Sequence, residues 1–258
     1  MPYSNTKRLL KKVKDDYTRI AKDFDRTRQE PWEEFRVLEG ALFVGARVAP
    51  SDRQSRTGAS PSRSPCSLFG VGARVASLES PTVLDLGCGN GRLYSFLKTK
   101  KINYCGMDNN ATLLKIAQKN HPDARFLRGD QLHIPLAKMS CDQIWNIAAF
   151  HHLPTHTVQK KALREMNRVL KKNGRLMLTV WNLWQKKYRP YITKNGDAFI
   201  PFGPVNRYYY AFRLGELRKL LASTGFKIID SFCTRRGKKV PWRESFNLCF
   251  VCEKRRSL

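Results

Sequence analysis

The chain has 258 residues and a formal net charge of +27 at pH 7, with 48 Lys and Arg against 21 Asp and Glu. This length suits one α/β domain with additions, and no apolar run approaches the roughly 20 residues that a transmembrane helix needs. The first residues lack the apolar core of a signal peptide. The seven cysteines are irregularly spaced, which argues against a disulfide framework. We therefore expect a cytoplasmic protein without a membrane segment.

The N-terminal residues are predicted to form a helical cap ahead of the main domain. Between Leu9 and Phe24, apolar side chains recur at helical spacing. The pattern predicts helix over most of residues 4–39, and we assign 1–43 to this cap.

The segment 44–77 differs in composition from the rest of the chain. It is rich in Ser, Arg, Gly and Pro and contains the sequence VGARVA twice, at 44–49 and 71–76. Such a composition cannot bury a core, so we expect a disordered insertion and infer no function from the repeat.

A glycine-rich turn lies between the first predicted strand, Thr82–Leu84, and a predicted helix at Leu93–Leu97. The sequence of this turn is Asp85-Leu86-Gly87-Cys88-Gly89-Asn90-Gly91-Arg92. A turn of this kind brings backbone amides close to a nucleotide-type cofactor. A nicotinamide fingerprint would place its third glycine at the position of Arg92. Here an acid precedes three alternating glycines, and this pattern resembles the first motif of the class I S-adenosylmethionine-dependent methyltransferases.

Three further predicted strands carry polar residues at or near their ends. The second, Tyr104–Asp108, ends in an acid nineteen residues after Gly89, near the spacing of a ribose-binding carboxylate. The third is predicted over Arg125–Leu132, and the resemblance implies that its Asp130 accepts from the adenine amine. The fourth, Cys141–Ile147, is similar to the cofactor-facing "FDxV" strand of these enzymes.

Together these segments predict an S-adenosylmethionine site. The alternative for Asp85 and Asp130 is a structural role in a turn. The predicted cofactor-binding residues are Asp85, Gly87, Cys88, Gly89, Asn90, Asp108, Asn109, Asp130, Gln131, Leu132 and Asn146.

The rest of the chain completes the predicted sheet. We expect a helix at Thr157–Leu170, a strand at Gly174–Trp181, a long aromatic and basic connection at 182–211, a helix at Phe212–Ser223, and strands at Phe226–Phe232 and Asn247–Glu253. The resemblance then implies an α/β fold, the Rossmann-like sheet of class I methyltransferases. This sheet has seven strands, mostly parallel with an antiparallel C-terminal strand, and helices on both faces. It spans residues 78–258 and carries 182–211 as a substrate-side insertion.

Several elements outside the cofactor motifs resemble the wobble-uridine tRNA carboxymethyl methyltransferases. They are DRTRQEPW at 25–32 for "TRxxPW", IAAFHHL at 147–153 for "IAVxHHL", TVWN at 179–182 for the "VW" strand end, and RYYYAF at 207–212 for "RYYHxF". The likeness covers most of 15–253 apart from the insertion. Two departures lie near the presumed substrate pocket: Tyr210 replaces a histidine, and 197–202 keeps only part of a "DxxxPW" pattern.

The reaction that this resemblance implies is esterification of a carboxymethyl group on uridine. Because a carboxylate is ionised at neutral pH, it needs a cation to orient it rather than a general base. The catalytic candidates are Arg26, Arg28, His151, Arg207 and Tyr209. The alternative for each arginine is a surface salt bridge, and for the histidine a packed structural role.

The basic residues suggest a polyanionic partner. From Lys160 to Lys194 there are eleven Lys or Arg and one acid, Glu165, and a second cluster lies at 235–239. This excess is typical of nucleic-acid binding, with a merely solvated basic surface as the alternative. The resemblance implies tRNA as the partner and leaves open a small activator subunit.

Two other function classes share part of this pattern. One is a methyltransferase acting on a metabolite such as a quinone precursor, and the other is a non-catalytic relative that binds nucleic acid. No metal is expected, because Cys249 and Cys252 match a C-x-x-C spacing inside a predicted strand without a second ligand pair.

Overall fold

The computed structural model describes residues 2–40 and 80–255, so the insertion predicted at 44–77 lies outside the described residues. Three helices precede the sheet: α1 (Pro2–Arg19), α2 (Ala21–Arg26) and α3 (Glu34–Glu39). In the two described ranges, no helix is long and apolar enough to cross a membrane.

The main domain alternates strands and helices. Its elements are β1 (Thr82–Leu86), α4 (Arg92–Leu97), β2 (Asn103–Asp108), α5 (Ala111–Asn120), β3 (Phe126–Arg128), β4 (Cys141–Ile147), α6 (His156–Val169), β5 (Leu170–Trp181), β6 (Asp197–Phe202), β7 (Val205–Tyr210), α7 (Leu214–Ser223), β8 (Phe226–Arg235), β9 (Lys238–Lys239) and β10 (Asn247–Lys254). The large sheet has the order β3-β2-β1-β4-β5-β10-β8-β9. β1 to β5 pair in parallel, whereas β10 is antiparallel to both β5 and β8. This confirms the predicted fold class.

The sheet is buried on both faces because helices pack on each of them, and successive side chains of a strand enter different cores. On one face Leu84 joins a core that includes residues of α6 and α7. On the other, its neighbour Val83 packs with residues of α3 and α4. Cys249 and Cys252 belong to these two different cores, so the C-x-x-C spacing does not bring the thiols to one metal ion.

The structure differs from the predicted elements in the third strand. β3 ends at Arg128, and the chain then turns at Asp130, whose carbonyl accepts from the His133 amide at 2.9 Å. The chain after it forms a turn closed by the Asp130 side chain, as described below.

Two further strand pairs were not predicted. The sheet carries an eighth strand, β9, because Arg236 and Gly237 both have positive φ (49° and 68°) and form a two-residue hairpin turn. The connection 182–211 also contains a separate two-stranded sheet, β6–β7, which turns at Gly203.

Candidate cofactor and substrate site

A cavity of about 470 Å³ lies at the carboxyl ends of the parallel strands. Its floor comes from the ends of β1, β2, β4 and β5, including Asp85, Asp108, Ile147 and Trp181. α1 and α2 of the cap border it, and the β6–β7 hairpin forms another wall. This is the edge at which ligands bind in open α/β sheets.

The glycine-rich turn passes so close to its neighbours that side chains would not fit. Gly87, Gly89 and Gly91 have φ of 82°, 57° and 82°. A Cβ atom on Gly87 would lie 2.4 Å from the Cβ atom of Ala149, and one on Gly89 would lie 3.2 Å from the Phe24 ring. Glycine is therefore required for this path, which leaves the backbone facing the cavity.

Asp108 fixes this turn from the end of β2. Its Oδ2 atom accepts from the Gly89 amide at 3.0 Å, and its Oδ1 atom accepts from the Asn110 amide at 2.8 Å. Burial raises the pKa of this carboxyl, and the backbone hydrogen bonds oppose that rise. The carboxylate thus shapes the turn and also lines the cavity.

Asp85 is a second buried carboxyl at the same end of the cavity. It accepts a hydrogen bond of 2.7 Å from the Tyr104 hydroxyl. Burial raises the pKa of Asp85 to about 7, although that hydrogen bond lowers it. The nearby Cys88 thiol also has a pKa well above its usual range, first because of burial and then because of Asp85.

Most of the predicted cofactor residues converge on the cavity. Those that line it are Asp85, Gly87, Cys88, Gly89, Asn90, Asp108, Asn109 and Gln131. The Asn90 amide also donates to Asp25 Oδ1 at 2.9 Å and to the Arg28 carbonyl at 3.0 Å, which ties the turn to the cap.

The structure does not place Asp130, Leu132 or Asn146 in the cavity lining. Asp130 is exposed, and its Oδ1 atom accepts from the Leu132 amide at 2.8 Å, which matches the alternative of a turn residue. Leu132 packs against the core. Asn146 is fully buried and donates to Gln131 Oε1 at 3.2 Å, so it acts behind a lining residue.

At the other end of the cavity lies a buried arginine, Arg207. Its side chain is 4% exposed, and its guanidinium carbon lies 4.2 Å from the centre of the Phe202 ring and 5.5 Å from that of Trp181. Within residues 2–40 and 80–255 its charge has no acidic partner, and its Nε atom has no hydrogen bond. The cavity therefore contains a guanidinium that is available to an anion.

Of the other two candidate arginines, only Arg28 reaches the cavity. Its guanidinium carbon lies 4.4 Å from the centre of the Phe24 ring and 5.5 Å from that of Phe202, and burial lowers its pKa. Arg26 is exposed on the surface, where it pairs with Asp23 at 3.4 Å. The structure therefore does not bring the catalytic candidate Arg26 to the cavity and matches its alternative of a surface salt bridge, because residues two apart at the end of a helix point in different directions.

His151 and His152 are both buried and adopt opposite tautomers. Nδ1 of His151 accepts from the Trp181 amide at 3.0 Å, which leaves the proton on Nε2. Nδ1 of His152 donates to the Tyr208 carbonyl at 2.8 Å, and its Nε2 accepts from the Tyr17 hydroxyl at 2.9 Å. Burial lowers the pKa of His151 well below its usual value and that of His152 to about 4, so both rings are neutral at pH 7.

Tyr209 lies against both histidines, with ring centres 5.0 Å from His151 and 4.8 Å from His152. It also stacks on Trp181 at 5.1 Å. Burial raises the pKa of its hydroxyl, which lies beside that of Tyr17 without a hydrogen bond of normal geometry. Tyr209 is thus a packed wall of the cavity with a neutral hydroxyl.

Sequence reasoning missed several lining residues. They are Tyr17, Phe24, Trp32, Arg92, Trp181 and Phe202. Trp32, Trp181 and Phe202 stand in the elements that carry the family resemblance, so the signal was present. Tyr17 and Phe24 fall on apolar helical positions and are indistinguishable there from core residues.

A family model described as a methyltransferase domain matches residues 84–178. A putative methyltransferase of Encephalitozoon cuniculi is 34% identical over 155 residues, which are 57% of this chain and 71% of that protein. This chain belongs to the class I S-adenosylmethionine-dependent methyltransferases. A protein of Schizosaccharomyces pombe named tRNA (carboxymethyluridine(34)-5-O)-methyltransferase is 29% identical over 177 residues, 57% of this chain and 74% of that protein.

Two solved structures show the same fold as this methyltransferase. One, an S-adenosylmethionine-dependent methyltransferase from Methanosarcina mazei, has a TM-score of 0.60 at 21% identity and covers 70% of this chain and 96% of its own. The other is a putative methyltransferase from Haloferax volcanii in complex with the Trm112 methyltransferase activator, with a TM-score of 0.55 at 19% identity over 69% of this chain and 84% of its own.

The residues at the strand ends fit the cofactor of this methyltransferase, S-adenosylmethionine. The turn at Gly87 and Gly89 keeps side chains out of the space where a ligand meets backbone. Asp85 and Asp108 supply carboxylates, which suit a cofactor that carries a sulfonium, an ammonium and a ribose diol.

Proposed function

We propose that this methyltransferase transfers a methyl group to the carboxylate of a carboxymethyl-modified wobble uridine in tRNA. The observation that carries the proposal is the buried, unpaired guanidinium of Arg207. Holding a charge away from water costs several kcal/mol unless it is paired. An anion that enters the cavity would supply the missing partner.

The surroundings of Arg207 favour a carboxylate attached to a planar ring. Trp181 and Tyr209 form a stacked pair beside it, and Phe202 covers one side of the guanidinium. Aromatic faces stack on bases, and a guanidinium fork matches the two oxygens of a carboxylate. The printed name of the S. pombe relative describes such an acceptor.

At the other end of the cavity we propose the following cofactor contacts. Asp108 accepts from the ribose hydroxyls, while the turn at Gly87–Asn90 and the side chains of Asn109 and Gln131 surround the rest. Asn146 holds Gln131 in place. Asp85 supplies a negative charge for the positively charged end of the cofactor.

S-adenosylmethionine, when bound, supplies a methyl group on a positively charged sulfur. Arg207 orients the acceptor carboxylate, whose oxygen forms the new bond to the methyl carbon as the carbon–sulfur bond breaks. No proton is released, so no general base is needed. His151 carries its proton on Nε2 and would donate a hydrogen bond to the substrate, and alignment of the reacting atoms then contributes most of the rate enhancement.

We further propose that the protein binds a small activator subunit and acts in the cytoplasm. The Haloferax complex supports a small activator subunit at the level of the fold. The six cysteines of the described residues are free and buried, which fits the reducing environment of the cytoplasm.

The test is methyl transfer from labelled S-adenosylmethionine to tRNA that carries 5-carboxymethyluridine. The product should be an ester, so mild alkali should release the label as methanol. tRNA with unmodified uridine at the same position is the matched control and should accept no label. A product that survives alkali would show that the acceptor is not a carboxylate, and label transfer to a free metabolite instead of RNA would favour a small-molecule methyltransferase.

A further inference from the structure

Two basic clusters of the described residues, at 160–175 and 235–239, lie at different edges of the sheet. Leu170, at the start of β5, pairs with Cys141, and Thr179 pairs with Ile147. Six strand positions of about 3.3 Å each separate these pairs, so Lys171 and Lys172 lie roughly 20 Å from the edge that holds the cavity. A second basic cluster lies at the end of β8.

That second cluster lies at the same edge of the sheet as the cavity. Asn247 pairs with Trp181 on one side and with Thr234 on the other. Two strand spacings, about 10 Å in all, therefore separate the cavity residue Trp181 from the end of β8. The β8–β9 hairpin, whose basic residues are Arg235, Arg236, Lys238 and Lys239, rises at this edge.

The hairpin is held against residues adjacent to the cavity lining. A Cβ atom on Gly237 would lie 2.8 Å from the Cβ atom of Glu33, which directly follows the lining residue Trp32. The Gly237 amide donates to Glu34 Oε1 at 3.4 Å. Three residues after the hairpin, the Trp242 carbonyl accepts at 2.9 Å from the side chain of Asn182, which is next to Trp181.

Both clusters combine paired and unpaired cations, so it is their position relative to the cavity that distinguishes them. In the first, Arg168 pairs with Glu165 at 2.8 Å and Lys171 with Asp142 at 2.7 Å, whereas the exposed Lys161, Arg164 and Lys172 have no ion pair with any described residue. In the hairpin, Lys239 is 3.4 Å from Asp230. Arg235, Arg236 and Lys238 are exposed and have no ion pair with any described residue, although the acid Glu33 is close by.

We propose that the β8–β9 hairpin is the arm that binds the RNA phosphate backbone over the cavity, through Arg235, Arg236 and Lys238. The inference rests on the proposed function, because a nucleotide must enter the cavity while its chain stays outside. A third basic segment, with exposed Lys186, Lys187, Arg189 and Lys194, belongs to the insertion whose β6–β7 hairpin forms another wall of the cavity. RNA bound at the cavity would therefore have further cations available from this insertion. The basic residues of α6 are, by contrast, a solvated surface.

The test compares two variants with the same loss of charge. The hairpin variant is Arg235→Gln, Arg236→Gln and Lys238→Gln, and the matched control is Lys161→Gln, Arg164→Gln and Lys172→Gln, all exposed in the native chain. Binding of unmodified tRNA is measured as a function of salt. The hairpin variant should lose roughly 2 to 3 units of the slope of log K against log salt and about 30- to 100-fold in affinity at 0.15 M salt. The control should keep the native slope, and both variants should bind S-adenosylmethionine as the native protein does.

Several outcomes would overturn the proposal. They are an equal loss in both variants, a loss only in the control, or no loss in either. A loss of binding to phosphatidylserine vesicles with unchanged tRNA binding would assign the hairpin to a membrane surface instead. The binding measurement uses tRNA without a methyl acceptor, so it is independent of the ester assay. If the proposed reaction failed, the effect of the hairpin on tRNA binding could still be judged.

Discussion

The Tyr17 hydroxyl donates a hydrogen bond of 2.9 Å to Nε2 of His152, 135 residues further along the chain. His152 in turn donates to the Tyr208 carbonyl on the β6–β7 hairpin. One imidazole thus joins the cap to the insertion across the cavity. Both elements are held in place at the point where cofactor and acceptor would meet.

Replacing Tyr17 with Phe should weaken this junction. The variant leaves Nε2 of a buried ring without its donor, which costs about 1 to 3 kcal/mol. The melting temperature should fall by roughly 2 to 12 °C, given about 2 to 4 °C per kcal/mol for a domain of this size. The control is Tyr191→Phe, at a side chain 43% exposed, which should change the melting temperature little. Equal melting temperatures in both variants would show that the hydrogen bond contributes nothing.

Asp108→Asn should weaken cofactor binding roughly ten- to a hundredfold. The carboxylate is proposed to accept from the ribose, and a charge-assisted hydrogen bond is worth about 1.5 to 3 kcal/mol. Asn is a better test than Ala, because Asp108 also accepts from the Gly89 and Asn110 amides and the amide oxygen preserves one of these contacts. Calorimetric titration with S-adenosylmethionine measures the effect. Native affinity in a folded variant would refute the assignment of Asp108.

The raised pKa of the Asp85 carboxyl predicts that cofactor binding depends on pH. Its pKa in the free protein is about 7, raised from an ordinary value of 3.8, so the carboxyl is largely protonated below pH 7. A positively charged ligand favours the ionised form, and binding below pH 7 must release a proton. Affinity should therefore fall by up to tenfold for each pH unit below 7 and level off above it. Titrations in buffers of different ionisation enthalpy would detect the released proton.

The Asp85→Asn variant checks this prediction in a second way. A raised pKa means that the folded protein binds more protons than the unfolded chain between about pH 4 and pH 7, so this group's contribution to stability is lost as pH rises through that window. The variant should be more stable than the native protein at pH 8 in the absence of cofactor, and its affinity for S-adenosylmethionine should vary less with pH. An unaltered pH profile would show that another group titrates.

The part of the site that was predictable is the part encoded locally. The turn at Gly87 and Gly89 follows from alternating glycines after an apolar strand, and Asp108 follows from its position at the next strand end. The roles of Asp130 and Arg26 depended on side-chain direction. Asp130 lies two residues beyond the end of β3, and Arg26 points away from Arg28 at a helix end.

Contacts between distant segments could not be predicted. The hydrogen bond between Tyr17 and His152 and the packing of Gly237 on Glu33 each join residues that no local pattern relates. The β8–β9 turn had a weak signal, because Arg236-Gly237 lies between two segments with strand character, but the basic residues there were interpreted only as part of the excess that suggests a polyanionic partner.

Replacing the two arginines of the cavity should have different effects, one on cofactor binding and the other on the reaction of the tRNA acceptor. Arg28 lies closest to Phe24, the ring that covers Gly89, and reaches Phe202 at 5.5 Å, whereas Arg207 lies 4.2 Å from Phe202 and also contacts Trp181. We expect Arg28→Gln to weaken S-adenosylmethionine binding, because the carboxylate of the cofactor needs a cation near the glycine-rich turn. Arg207→Gln should leave cofactor binding unchanged and lower kcat/KM for the tRNA acceptor.

A charge-conserving change at Arg207 separates the effect of the guanidinium geometry from the effect of its positive charge. Arg207→Lys should also lose most of the activity, because an ammonium cannot reproduce the two parallel hydrogen bonds of a guanidinium to a carboxylate. Arg26→Gln, at an exposed side chain that pairs only with Asp23, is the control and should behave as the native protein in both assays. Steady-state kinetics at saturating cofactor, together with cofactor titrations, measure the two effects. If Arg207→Gln weakened cofactor binding as strongly as Arg28→Gln, the division of the cavity between the two arginines would be wrong, and both would have to be assigned to the cofactor.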